Sequence, residues 1–176
     1  MSGWFPLSLS PSKGERHAHG IAGGIGGLPD TALNTRSFLA GVVEAARRRL
    51  PDELRDFNVV GPWASLVKLH YGNPAIHYEV WVQRRTGIVE IGIHFEGPAE
   101  RNSYYLESLI QKSDRIIHAL GPEIEPEQWT PVWTRIHYPL PMSELDEALL
   151  ARVSERMVNL VRTLEPLVRE LHMPHT

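Results

Sequence analysis

Apolar and polar residues alternate along two neighbouring stretches of the chain. Ile76, Tyr78, Val80 and Val82 alternate with His77, Glu79, Trp81 and Gln83, and Val89, Ile91, Ile93 and Phe95 alternate with Glu90, Gly92, His94 and Glu96. A period of two belongs to an antiparallel sheet with one apolar and one polar face, the polar face normally solvated. The pattern predicts strands over 75–84 and 87–96, joined at Arg85–Thr86–Gly87, and a preceding strand over 64–71 that ends at the turn Gly72–Asn73–Pro74. Elsewhere the spacing is helical. Leu33, Phe38, Leu39, Val42, Val43, Ala46 and Leu50 predict a helix over 30–50, capped by Asp30 or Thr31 and ended by Pro51, with a short helical turn through Leu54 and Phe57. A single helix is expected over 98–120, stopped by Gly121–Pro122. Strands over 125–130 and 132–138 follow. A last helix should run from after Ser143 to about Leu171, bent or interrupted at Pro166. The order α-βββ-α-ββ-α predicts an α+β domain, an antiparallel sheet with helices packed on one face.

Residues 1–29 carry no such pattern. They hold SLSPSKGER and a run of five glycines within GIAGGIGG, and read as a flexible tail before a single domain over 30–176. The glycines lack the strand before and the Lys-Ser or Lys-Thr after that a phosphate loop requires. The first residues do not form a basic-then-apolar leader, and no apolar run is long enough to span a bilayer, so a cytoplasmic protein with no membrane partner is expected. SLSPSKGER resembles low-complexity peptides translated from repeat elements in bacterial genomes, a resemblance that makes Met1 a doubtful natural start.

With 176 residues the chain can bury about two-thirds of its unfolded surface, enough for a core without staples. It has no cysteine, which excludes disulfides, Fe–S clusters and thiolate sites and leaves any metal to His and carboxylates. A formal net charge of −3 speaks against a basic nucleic-acid coat.

Closing the hairpin between Arg84 and Gly87 sets His77 opposite His94, Trp81 opposite Glu90 and Glu79 opposite Gly92. Facing side chains lie about 5 Å apart. Two imidazoles at that spacing can chelate a divalent ion, and Glu79 or Glu96 would complete a set that suits zinc, iron, manganese or nickel. His70, Lys68, Arg135 and His137 join the same face if their strands align. A one-residue slip would dissolve the arrangement. Arg84 and Arg85 at a hairpin tip, with Trp81, Arg135 and His137 on the polar face, are the candidate contacts for a ligand or partner. Nucleophile-elbow, HExxH, EF-hand and two-acid-plus-lysine nuclease motifs are absent.

The stretch HYEVWVQRRTGIVEIGIHFEG, a helix ending at Gly121, then EPEQWTPVWTRIHYPLP with Trp129, Arg135 and Ile136, and a long terminal helix resemble, in that order, a bacterial domain family of unknown function. The likeness covers about residues 60–170. That family occurs alone or at the end of nuclease-like and restriction-associated chains. The resemblance implies a bacterial accessory module in a nucleic-acid or defence setting. The expectation is thus a binding module rather than an enzyme. Its partner would be a protein or a second copy of itself, then nucleic acid, and it would need no cofactor. The alternative is a metal-dependent hydrolase in which His77, His94 and Glu79 or Glu96 hold the ion and a bound water attacks the substrate.

Overall fold

The computed structural model describes residues 32–171, so the tail expected over 1–29 and the proposed caps Asp30 and Thr31 lie outside the described residues. Helix α1 (Thr35–Arg49) starts at Asn34, whose side chain accepts from Ser37 N. Residues 32–34 are not helical as expected: Asn34 is extended as the cap, and Leu33 N donates to Leu145 O (2.5 Å). A 3-10 turn, Asp52–Leu54, follows Pro51.

Six strands then form one antiparallel sheet in the order β1-β2-β3-β4-β6-β5: β1 (Asn58–Val60), β2 (Leu66–His70), β3 (Ile76–Gln83), β4 (Ile88–Phe95), β5 (Glu125–Gln128) and β6 (Thr134–Pro141). The α+β class and the antiparallel sheet are as the alternation requires. β1 was not anticipated: three residues are too few to show a period. β6 runs on to Pro141, past the expected end at Tyr138. Its prolines are tolerated because the last β5 pairing is Glu125 with His137, so Pro139 and Pro141 have a neighbour on the β4 side alone.

The helix expected over 98–120 is two helices, α2 (Ala99–Ile110) and α3 (Ser113–Leu120). Gln111–Asp114 buries no side chain, so no packing holds that turn in register. The last helix, α4 (Glu147–Glu170), is capped by Asp146 and passes through Pro166 without interruption. Pro166 is on the exposed side of the helix, where water can satisfy the carbonyl it leaves free.

The core lies between the helices and the apolar sheet face. Val67, Leu69, Tyr78, Val80, Ile91, Ile93, Phe95, Ile136 and Tyr138 meet Phe38, Leu39, Val42, Tyr105, Ile116, Val153, Met157 and Leu164 in one cluster. Phe95 and Tyr105 stack at 5.2 Å. Asn102, buried on α2, clamps this end. Its Oδ1 accepts from Gly97 N (3.0 Å), and its Nδ2 donates to Gly97 O (2.8 Å) and Val132 O (2.7 Å). Asn102→Ala leaves three backbone groups unpaired and is expected to cost about 2 kcal/mol in urea unfolding. An unchanged midpoint would show that water replaces the amide without loss.

Candidate functional site

The polar face of the sheet is buried at its centre. His77 and His94 are 1% exposed, Glu90 3%, Glu79 5% and His137 6%. The register explains the gathering. Lys68 pairs with Glu79, Glu79 with Gly92 and Gly92 with His137, while His77 pairs with His94, His94 with Arg135 and Arg135 with Glu127. Two adjacent rows of complementary groups therefore cross the sheet. Trp129, from the loop after β5, covers part of them: it meets the His94 ring edge-on at 5.8 Å and lies under the Arg135 guanidinium at 5.1 Å.

Gly92 is the one position in these rows without a side chain. A Cβ there would sit 2.7 Å from His137 Cβ and 2.9 Å from Ile136 O, so only glycine allows β6 to approach this closely.

The His77 and His94 rings stack with centroids 5.4 Å apart and planes 18° apart. His77 Nδ1 lies 2.9 Å from Pro74 O. Donation to that carbonyl turns a bare Nε2 toward Glu79 Oε2 (3.6 Å) and Glu96 Oε1 (3.8 Å). His94 Nδ1 is 3.8 Å from the same Glu96 oxygen, and its Nε2 is 3.3 Å from Glu90 Oε1. Among the described residues, neither His77 Nε2 nor either His94 nitrogen has a hydrogen-bond partner. One ligand atom each from His77, His94 and Glu96 lies within 4.8 Å of the others. Ligands about 2.1 Å from a tetrahedral ion are roughly 3.4 Å apart, so small side-chain movements would close this set on a metal. Glu79 is beside the set, with Lys68 Nζ 3.4 Å away.

On the other side of His94, Glu90 accepts from Arg135 Nη1 through both oxygens (2.7 and 2.8 Å) and from Gln83 Nε2 (3.1 Å). Arg135 also grips Glu127 (2.6 and 2.8 Å). Electrostatics follow from this crowding. Burial resists charge on Glu96, but the His94 contact, His77 and Lys68 outweigh it and hold the carboxyl down to about 2. Burial likewise opposes ionisation of Glu90, yet His94, Arg135 and His137 lower it. Burial also disfavours a charged His94, and Glu90, Glu96 and Glu79 outweigh it and raise the ring. His137 goes the other way, down to about 4, through burial and the charge of Arg135. Glu79, Glu90, Glu96 and Glu127 face the permanent cations Lys68 and Arg135. With neutral rings, two negative charges remain. Two imidazolium protons or one divalent cation would balance them.

The contact candidates separate. Arg135 and His137 belong to this network. Trp81 is half-buried opposite Leu66 and Glu90. Arg84, at the hairpin tip, is tied to Thr35 Oγ1 of α1 (2.9 Å), and Arg85 is exposed. The sequence reading missed Glu90 and Trp129 as members of the site. The spacing of Glu90 and His94, four residues apart and so on one face of β4, was the available signal for the first. No helix among the described residues is long and apolar enough to cross a membrane. Comparison with family models, curated proteins and solved structures returned no match.

Proposed function

We propose that this chain is a bacterial accessory or binding module that holds one divalent transition-metal ion on His77, His94 and Glu96, and that the ion serves binding rather than turnover. The observation that carries the reading is the pair of buried imidazoles whose unpartnered nitrogens face one carboxylate oxygen. Burying such nitrogens without a partner is costly, and a metal bond removes that cost. Two imidazoles and one carboxylate suit zinc, cobalt, nickel or iron and disfavour magnesium and calcium. A binding role is supported by access. Both rings are 1% exposed and the Glu96 side chain 18%, so a substrate has little room to reach the fourth position that three ligands leave to water.

The test is thermal unfolding of chelator-stripped protein with zinc, cobalt, nickel, manganese or magnesium. Native-state binding at 100 times Kd adds about 2.7 kcal/mol, which is roughly 5–10 °C in a domain of this size. The rise is expected with zinc, cobalt or nickel, not with magnesium, and is expected to vanish in His94→Ala. A melting point indifferent to every ion would refute the reading.

A further inference from the structure

Lys68 stands beside the position assigned to the ion. Its ammonium is 3.1 Å from Glu96 Oε2 and 3.4 Å from Glu79 Oε2, and its side chain is 21% exposed. His77 Nε2 faces the same two carboxylates at 3.6 and 3.8 Å. The two glutamates that face His77 are thus already served by a positive charge from β2, placed there by the pairing of Lys68 with Glu79. Lysine suits that role because its ammonium is a compact charge on a flexible stem that can withdraw toward solvent.

We propose that Lys68 is a built-in counter-cation of the metal site, holding Glu79 and Glu96 in the ion-free protein and weakening the ion's hold by repulsion. The inference rests on His77, His94 and Glu96 being the ligands. Two effects of the ammonium oppose each other. By taking Oε2 of Glu96 it leaves Oε1 turned toward the rings, which favours the ion. It also places a positive charge a few ångströms from a doubly charged cation. Repulsion wins, because it acts on both charges of the ion at short range in a mostly buried site. Orientation of Glu96 does not depend on Lys68 alone, since Oε1 already faces both imidazoles. Removing the ammonium also raises the unbalanced negative charge of the cluster from two to three. Lys68 therefore sets an affinity low enough for the ion to exchange, and keeps the vacant site from flying apart.

The experiment is competition for zinc between the full chain and a chromogenic chelator, on wild type, Lys68→Met and Lys68→Arg, with melting of each stripped protein alongside. Lys68→Met is expected to bind zinc about tenfold tighter or more and to melt lower when stripped. Lys68→Arg, which keeps the charge, should stay near wild type. If Lys68→Met does not fold, Lys68→Gln makes the same comparison. Wild type that binds while the neutral variants bind equally or more weakly would overturn the inference and leave the metal reading standing. Zinc binding by the neutral variants alone would uphold Lys68 as the opposing charge and refute metal holding by the natural chain. Binding by none of them would refute both.

Discussion

Glu90→Ala is expected to lower the unfolding free energy by about 3–5 kcal/mol, the cost of breaking a buried ion pair from one side. Glu90 is 3% exposed and receives Arg135 through both oxygens, with Gln83, His94 and His137 around it. Arg135 would retain Glu127, whose side chain is 45% exposed and held in water, so the guanidinium would lose its only buried counter-charge among the described residues. Urea unfolding near pH 7 measures the loss, and Glu90→Gln should show roughly half of it because the acceptor oxygen survives. The sign with pH follows from the lowered carboxyl. Its contribution is present above its ordinary value of 4.5 and is lost as the pH falls through the lower folded value, so wild type and variant should converge in acid. A loss under about 1 kcal/mol would mean that the network behaves like a surface salt bridge.

Gly92→Val should destabilise the protein by about 3 kcal/mol, the upper end of ordinary overpacking. On an open strand the same change is favourable by up to about 1 kcal/mol, since glycine is entropically costly and valine suits a pleated surface. Here the new Cβ would meet His137 Cβ at 2.7 Å, Ile136 O at 2.9 Å and His137 Cα at 3.2 Å. Two of those atoms are backbone of β6 and cannot rotate away, so the β4–β6 ladder must part. The expected drop in melting temperature is roughly 6–12 °C. A variant that melts at or above wild type would show that the strands yield freely at this point.

The strand hairpin was the most legible part of the chain. Alternation and the turn before Gly87 together place His77 against His94, Trp81 against Glu90 and Glu79 against Gly92, and all three pairs are present. Local signals suffice there because a short turn sets the register. They do not suffice between β4 and β6, which are separated by two helices and β5. That Arg135 would meet Glu90 rather than stand free for a ligand or partner depends on this distant pairing, and no local pattern encodes it. The break between α2 and α3 was hidden for a related reason. Leu109 and Ile116 are seven apart, the spacing of one continuous helix, and only the lack of buried side chains over Gln111–Asp114 marks the interruption. Burial of the polar face was also unreadable. Alternating polar residues look solvated until the opposing charges, and the cover supplied by Trp129, are assembled in space.

The outermost strands of the sheet are its shortest. β1 has three residues and β5 four, with the sequence Glu-Pro-Glu-Gln, so one rim ends almost at once and the other carries two acids and a residue with no N–H to donate. An added strand from another molecule would find few hydrogen bonds at either rim and repulsive charge at one of them. The fold is thereby protected against growing sideways into a continuous intermolecular sheet, even though its central strands are rich in the β-branched residues from which such aggregates are built.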